Sequence, residues 1–290
     1  MPIDADKLLR FAIPSVRQKL VPRDAAFYAL SVGVGQDPLD RNQLRYADPD
    51  QGPAPLPTMP LVMAHPGFWL GHPESGVDPL AVLHGAQRVD ILGTIPVDGE
   101  IESRTRVTGL SDKGQGKAAL IYTETDLLGA DLGIFARLKR TTFIRAGGGF
   151  GGSWGEAPPP APARPDTRAD QVVDLKTLPE QALLYRLNGD LNQLHSDPDV
   201  AGKAGFAAPI LHGLCTMGVI VHALLRGRLA YRSDMLRSVS LRFAAPVMPG
   251  ETIRTEIWDN GAFEARVVER DLIVADQGQF LTYPNPSPSA

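Results

Sequence analysis

A stretch rich in glycine and proline divides this chain of 290 residues into two halves. Residues 147–165 read GGGFGGSWGEAPPPAPARP, so glycines are followed by clustered prolines. Glycine increases the entropic cost of ordering the backbone, and proline lacks the N–H that a helix or a sheet needs. The composition therefore predicts a linker. We expect two domains, residues 1–146 and 166–290, joined by residues 147–165.

The glycines of this linker also have the spacing of a dinucleotide-binding turn, at Gly147, Gly149 and Gly152. A turn of that kind opens a helix, because the helix N-terminus binds the pyrophosphate. Prolines follow these glycines instead of a helix. The favoured interpretation is a connector held in place by Phe150 and Trp154.

The two halves resemble each other in sequence. Residues 95–105 read IPVDGEIESRT and residues 245–255 read APVMPGETIRT. Farther upstream, FYAL at 27–30 corresponds to LYRL at 184–187, at a similar separation along the chain. Similarity at a nearly constant offset indicates a duplicated domain.

Hydrophobic patterning predicts the same elements in each half. Residues 212–227 are apolar almost all round, which is typical of a helix buried inside its domain. Alternating, strand-like runs follow at 236–243, 251–258, 262–270 and 272–283. In the first half an apolar segment, 61–70, takes the place of the helix before runs at 82–92, 101–110, 117–125 and 135–144. We predict an α+β fold in which each half wraps an antiparallel sheet around one helix, and the two sheets join edge to edge.

Composition narrows the class of protein. A net charge of −4 and an isoelectric point near 5.9 favour neither nucleic acid nor an anionic membrane surface as a partner. The single Cys215 rules out an intramolecular disulfide framework and suits a reducing compartment. No apolar stretch reaches membrane-spanning length, no signal-peptide pattern begins the chain, and PSPSA at its end is no peroxisomal address. We expect a cytoplasmic protein without a metal site.

One polar loop carries the residues most suited to catalysis. Residues 187–198 read LNGDLNQLHSDP and place Asp190 five residues before His195. A carboxylate and an imidazole together can transfer protons near neutral pH. Either residue taken alone is more typical of a loop cap or a structural histidine. Between them, Asn192 suits an orienting role, whereas His212 suits packing or capping and Cys215 a buried apolar position.

Several blocks of the chain resemble the 2-enoyl-CoA hydratase 2 family of MaoC-like dehydratases. They are YRLNGDLNQLHSDP at 185–198, PILHGLCTMG at 209–218, SDKGQG at 111–116, AGGGFGG at 146–152 and RFAAPVMPGET at 242–252. The resemblance implies a double hot-dog fold, with two repeats that each wrap an antiparallel sheet around a central helix. It implies a homodimer that reversibly hydrates trans-2-enoyl-CoA to (3R)-3-hydroxyacyl-CoA, with no cofactor beyond the CoA of the substrate.

The resemblance also implies roles for individual residues. Asp190 and His195 would hold one water between them, and the sequence leaves open which of the two is the base. Gly213 begins the buried helix, where a free N–H can stabilise the thioester oxygen. The residues implied to line the ligand path are His84, Gly85, Lys113, Gly213 and Phe243. At the position that matches Asp190 and His195 the first half reads SVGVGQDPLD and has no acid–histidine pair, so it is expected to hold the acyl chain.

The catalytic loop departs from the family pattern at two positions. Gln193 replaces a proline, and Asn188 replaces Ser or Thr. Three alternatives to the activity that the resemblance implies stay open. The chain could dehydrate thioesters of acyl carrier protein, act on branched or dicarboxylic CoA esters, or bind acyl-CoA after losing catalysis, for which Gln193 is the only support. A thioesterase is disfavoured, because thioester hydrolysis does not need this loop.

Overall fold

The computed structural model describes residues 2–155, 157–159 and 162–284. The α-helices are α1 (Ala5–Leu9), α2 (Pro22–Ser31), α3 (Arg41–Ala47), α4 (Gln181–Arg186), α5 (Pro198–Lys203) and α6 (Gly213–Arg228). The strands of the first half are β1 (Val16–Leu20), β2 (Val82–Ile91), β3 (Gly99–Asp112), β4 (Ala119–Gly129) and β5 (Gly133–Ile144), and the short β6 (Ser153–Trp154) lies in the linker. Those of the second half are β7 (Gln171–Lys176), β8 (Leu236–Phe243), β9 (Thr252–Ile257), β10 (Ala262–Val267) and β11 (Leu272–Thr282).

The described strands form one continuous sheet. Its order is β1-β3-β4-β5-β2-β8-β11-β10-β9-β7, and β6 pairs with β3 outside this path. Read outward from the centre, the two halves have the same order and the same antiparallel pairings, as a duplication requires. They meet where β2 and β8 pair antiparallel, with Val89 opposite Val239. The α+β class and the edge-to-edge junction are thus confirmed.

Helix α6 lies in the core of the second half. Every residue from Leu214 to Leu225 is buried, as the all-round apolar sequence predicts. Gly218 lets α6 approach α2 closely, since a Cβ at Gly218 would lie 2.5 Å from Cγ1 of Val32. The helices α2 and α4, which occupy equivalent places in the two halves, contact each other through Tyr28 and Tyr185, whose rings are 6.3 Å apart.

The first half has no counterpart of α6, and the helical expectation for residues 61–70 is wrong. This segment contains only 3₁₀ turns, at Met59–Leu61 and Trp69–Gly71. Pro66 lacks the N–H that a helix needs, and Gly67 adopts a φ of 73°, outside the right-handed helical region. The segment is nevertheless apolar and partly buried, so it covers the inner face of the first-half sheet without filling it as a long helix would.

The other strand predictions differ from the structure only in their ends. The run predicted at 262–270 ends at Val267, and the run at 117–125 begins at Ala119. Strands β3 and β4 are longer than predicted, and they pair over most of their length. None of these differences changes the order of the sheet.

The described glycines of the linker wrap around one carboxylate. Asp112 accepts hydrogen bonds from the N–H groups of Gly149 and Gly151 at 2.8 Å each and of Gly114 at 2.7 Å. These bonds lower the pKa of Asp112 below its usual range. Because the chain's own carboxylate takes up these N–H groups, they are not free for a nucleotide. Phe150 stacks on Trp154 with ring centroids 5.6 Å apart, in agreement with the connector interpretation.

Within the part of the chain that the structure describes, no helix is both long and apolar enough to cross a membrane.

Candidate active site

The loop after α4 is held by polar side chains at both of its ends. The side-chain amide of Asn188 donates to Oγ of Ser31 and to the carbonyl of Tyr185, at 2.9 Å each. Asn188, which stands where the family pattern has Ser or Thr, thus connects this loop to α2 of the other half. Asn192 accepts from the N–H of Leu194 at 3.0 Å and caps the 3₁₀ turn Gln193–His195. The orienting role expected for Asn192 is consistent with this cap.

His195 is buried and held in one tautomer. Its Nδ1 lies 2.8 Å from the carbonyl oxygen of Ile210, and because a carbonyl only accepts, Nδ1 must carry the proton. Nε2 is then the unprotonated nitrogen. Burial lowers the pKa of His195 below its usual range, although the Ile210 carbonyl and the charge of Asp190 oppose this effect. The ring is therefore neutral at pH 7, and Nε2 can accept a proton.

A second imidazole, His212, stacks on His195. The ring centroids are 3.7 Å apart and the rings are inclined by 27°. Nε2 of His212 donates to the backbone carbonyl of Asp190 at 3.2 Å, while its buried Nδ1 has no partner among the described residues. Burial, followed by the neighbouring His195, lowers the pKa of His212 to about 3. The packing role expected for His212 is observed, but its side chain does not cap the helix.

The structure brings Asp190, His195 and His212 into one cluster. A carboxylate oxygen and one nitrogen of each ring lie within 4.8 Å of one another. A water with two tetrahedral hydrogen bonds of about 2.8 Å joins atoms roughly 4.6 Å apart. The cluster is thus close enough for a single water to be shared. Three ligand atoms so near one another also make it the place where a metal ion would bind, if the protein held one.

Gly213 lies next to this cluster, at the first position of α6. The first N–H groups of a helix have no intrahelical acceptor, and no described residue accepts from Gly213. A Cβ at Gly213 would lie 3.4 Å from the ring of Phe243. The Phe243 ring in turn contacts His84 edge-on, with centroids 4.8 Å apart. Three residues expected to line the ligand path are thus contiguous.

His84 and Gly85 lie on β2 beside the junction of the halves. Nε2 of His84 donates to Oε1 of Gln87 at 3.0 Å, which fixes its tautomer. Burial, followed by the nearby Arg140, lowers the pKa of His84 well below its usual range, so this ring is neutral. Gly85 sits in a bulge of β2, where a Cβ would approach the carbonyl of Thr141 to 3.1 Å. The close approach of the Thr141 carbonyl in this bulge is a structural reason for glycine at position 85, independent of any contact with a ligand.

A cleft lies between the first-half sheet and the segment 59–71, with about 680 Å³ of empty space that includes its opening to solvent, and Leu214 of α6 reaches it. The wall formed by the segment is apolar and includes Leu61, Met63, Phe68, Trp69 and Leu70. The wall formed by the sheet is largely polar and includes Gln87, Thr105, Thr123, Thr125, Arg140 and Thr142. The first half thus provides the space that a long helix would otherwise fill.

Two residues at this cleft, His65 and Arg140, were not singled out from the sequence. The negative charge of Asp190 acts on both of them, and Leu214, which lines the cleft, is only two residues from His212 of the cluster. Burial, followed by the positive charge of Arg140, lowers the pKa of His65 below its usual range. A signal for Arg140 was available, because in the predicted run 135–144 it alternates in step with Leu138 and Thr142 on one face.

The structure does not bring Lys113 to the cluster. Lys113 is exposed in the turn after β3, and in the sheet order β4 and β5 separate β3 from the strand of His84. A contact with the nucleotide end of a ligand stays a prediction for Lys113. Cys215 is buried and free, and burial raises the pKa of its thiol well above the usual range. Asp197 caps α5, accepting from the N–H of Asp199 at 2.8 Å.

Family models match both halves of the chain. One described as a MaoC-like domain matches residues 160–277, and one described as the MFE-2 hydratase 2 N-terminal domain matches residues 19–146. Enoyl-CoA hydratase ChsH3 of Mycobacterium tuberculosis is 39% identical over 267 residues, 90% of this chain and 91% of the relative. The chain belongs to the hydratase 2 family of MaoC-like proteins. It is therefore an enzyme of the hydratase and dehydratase class.

Further relatives and solved structures agree with this membership. The peroxisomal enoyl-CoA hydratase 2 of Arabidopsis thaliana is 35% identical and covers 93% of both chains. The 3-hydroxyacyl-thioester dehydratase Y of Mycobacterium tuberculosis is 39% identical and covers 81% of both. The crystal structure of a MaoC-like dehydratase from Phytophthora capsici has a TM-score of 0.85 at 32% identity, covering 97% of this chain and 99% of that one. A Mycobacterium tuberculosis protein described as a double hot-dog fold matches with a TM-score of 0.58 at 18% identity, covering 98% and 97% of the two chains. The predicted double hot-dog fold is confirmed.

Proposed function

We propose that this hydratase 2 family member reversibly hydrates trans-2-enoyl-CoA to (3R)-3-hydroxyacyl-CoA in fatty acid metabolism. The observation that carries the proposal is the arrangement of His195 and Asp190. A neutral imidazole with its Nε2 free for a proton lies within 4.8 Å of a carboxylate, beside the cleft and beside the first N–H of α6.

Hydration adds the two parts of one water across the double bond. The water oxygen bonds to the β-carbon as the π electrons move toward the thioester, and Nε2 of His195 takes the proton that the water loses. The protonated His195 passes this proton to the Asp190 carboxylate, and the resulting carboxyl group delivers it to the α-carbon. Both groups are then restored, and acid–base catalysis of this kind contributes roughly 10²–10⁴-fold in rate per group.

The electron density that reaches the thioester oxygen needs a hydrogen-bond donor. In the proposal this donor is the N–H of Gly213, because the positive end of the α6 dipole adds to its effect. Removal of one such donor typically lowers turnover by about 10²–10³-fold. The contiguous His84, Phe243 and Gly213 would line the passage of the thioester, and the cleft of the first half would hold the acyl chain.

The test is turnover of crotonyl-CoA and trans-2-decenoyl-CoA, followed by loss of absorbance of the conjugated thioester, with chiral analysis of the product. We expect Asp190→Asn and His195→Gln each to lower turnover by roughly 10²-fold or more. Asp199→Asn is the matched control, since Asp199 is an exposed carboxylate close to the same loop. If either site variant keeps wild-type turnover, the assigned role of that residue is wrong.

A second candidate is dehydration of 3-hydroxyacyl groups on acyl carrier protein. It is favoured by the 39% identity to a relative named as a thioester dehydratase, a name that does not specify the thiol. Competition between CoA and carrier-protein thioesters of one acyl group separates the two candidates. A decayed binding module is disfavoured, because Gln193 begins a 3₁₀ turn whose Asn192 cap is intact.

We further propose that the reaction needs no metal. The proposed acid–base roles of His195 and Asp190 account for both proton transfers without a Lewis acid. Turnover should survive dialysis against a chelator. A homodimer and a cytoplasmic location also remain proposals, testable by light scattering and by fractionation of cells.

A further inference from the structure

The cleft contains one positive charge that no acidic side chain balances. Arg140 lies on β5 with Gln87 opposite it on β2 and Thr123 opposite it on β4, so it stands in the middle of the polar wall. Among the described residues that line the cleft, only Arg140 is formally charged, since burial lowers the pKa of His65. Its pKa is lowered by burial from a usual value far above neutrality, so the guanidinium stays charged.

The guanidinium of Arg140 makes no hydrogen bond or ion pair with a described residue. Its Nε is buried and has no partner, while the residue as a whole stays partly exposed through the cleft. The polar neighbours are occupied elsewhere. Gln87 donates to the backbone carbonyls of Arg88 and Lys139, and Thr105 and Thr125 bond to each other at 2.8 Å. A buried donor without an acceptor is costly, and five N–H groups in a fixed fork suit a carboxylate.

Asp190 does not serve as the missing partner. Its charge acts on Arg140, but the two form no ion pair within 4.0 Å among the described contacts, and its carboxylate accepts from the N–H of Asn192. A neighbour on the same strand shows the contrast. Arg137 is paired with Asp126 at 2.6 Å and with Glu124 at 3.3 Å, on the opposite face of β5. Apart from Arg237, which is exposed, the other described strand arginines each have an acidic partner, and Arg140 has none.

We propose that Arg140 is a specificity-determining residue that binds a carboxylate carried by the acyl group of the substrate. This proposal rests on the proposed hydration of enoyl thioesters and names its substrate class, an enoyl thioester with a second, anionic end. The apolar wall contacts the methylene chain while the carboxylate meets the guanidinium. The phosphates of CoA are unsuitable partners for Arg140, because the long pantetheine arm holds them far from the thioester. Arg140 instead lies near Asp190, where the thioester is proposed to react.

The experiment compares two substrates that differ only at the far end of the chain. They are trans-2-octenoyl-CoA and the mono-CoA ester of trans-2-octenedioic acid, each given to the wild type, Arg140→Met, Arg140→Lys and Arg137→Met. We expect the wild type to prefer the dioic ester. Arg140→Met should lower kcat/KM for that ester by roughly 100-fold more than for the unsubstituted ester, the usual scale for removing one partner of a buried charge pair. Arg140→Lys should retain part of the preference, and Arg137→Met should retain all of it.

Two results would overturn the proposal. One is an equal fall in kcat/KM for both esters in Arg140→Met, which would mean that Arg140 contacts a part of the ligand that the two esters share. The other is a wild type that favours the unsubstituted ester. Thermal unfolding separates these results from a folding defect, because removal of an unpaired buried charge should not lower Tm.

Binding measured by calorimetry makes the proposal independent of turnover. Octanoyl-CoA and the mono-CoA ester of octanedioic acid cannot react, yet the wild type should bind the dioic ester more tightly and Arg140→Met should lose this difference. A wild type that binds with this preference but hydrates neither enoyl ester would refute the proposed function and leave the role of Arg140 standing. Equal binding of both saturated esters would refute the role of Arg140.

Discussion

Substitution by alanine at two glycines of α6 should affect different properties: Gly218→Ala should lower stability, whereas Gly213→Ala should lower activity. In Gly218→Ala the new methyl group would lie 2.5 Å from Cγ1 and 3.0 Å from Cβ of Val32, which is fully buried and branched at Cβ. Overpacking of this kind typically costs about 1–3 kcal/mol, and alanine recovers roughly 0.5–1 kcal/mol in a helix interior. The net loss in the free energy of unfolding is then about 1–2 kcal/mol. At roughly 2–4 °C per kcal/mol, Tm should fall by several degrees.

In Gly213→Ala the new methyl group meets only the ring of Phe243, at 3.4 Å, which is near ordinary contact. Stability should change by less than about 0.5 kcal/mol. The methyl group does occupy the space where the thioester would approach the N–H, so we expect kcat/KM to fall by more than about tenfold. Thermal unfolding and the enoyl-CoA absorbance assay on both variants test this pair. An unchanged Tm for Gly218→Ala would refute the packing argument, and full activity of Gly213→Ala would refute the oxyanion role.

Two further substitutions test a buried histidine and the catalytic loop. His222 is buried, with Nε2 3.2 Å from the hydroxyl of Tyr231, and burial lowers its pKa to about 4. Because the unfolded chain binds this proton more readily, stability is lost as pH falls from about 6.5 toward 4. Between pH 7.5 and pH 5, urea unfolding of His222→Gln should lose about 2 kcal/mol less than the wild type, and equal losses would show that His222 does not titrate in this way. Gln193 is the first residue of a 3₁₀ turn, a position that tolerates proline, so Gln193→Pro should raise stability by about 0.4–1 kcal/mol with activity kept. A fall in its Tm would mean that the turn needs the Gln193 N–H or a φ that proline cannot adopt.

The sequence was sufficient where one physical effect dominates. Helix α6 is apolar on every side, so its burial and, to within one residue, its limits followed from hydropathy. The types and spacing of Asp190 and His195 singled out the loop in which the structure brings these two residues together, and their catalytic roles stay predictions. The edge-to-edge junction of the two sheets followed from the need to cover sheet edges, whereas the pairing of β2 with β8 is known only from the structure. In the segment 61–70 two effects compete, because the side chains favour burial while Pro66 and Gly67 disfavour a helix.

The features that were not predicted depend on contacts between segments that are far apart in the sequence. The stacking of His212 on His195 arises because the loop and the start of α6 converge, although the two residues are 17 positions apart. The place of Arg140 in the cleft depends on the register of β5 against β2 and on the absence of a first-half counterpart to α6. Neither relation is encoded in a short stretch of residues.

The lack of that counterpart divides the work between the two copies of the duplicated unit. The residues proposed for the chemistry lie in the later copy, whereas most walls of the cleft come from the earlier one. Substitutions on β4 or β5 can then remodel the ligand chamber while the reactive loop keeps its sequence. Duplication therefore allows substitutions in the first copy to change which acyl groups are bound without changing the residues proposed for the reaction in the second copy.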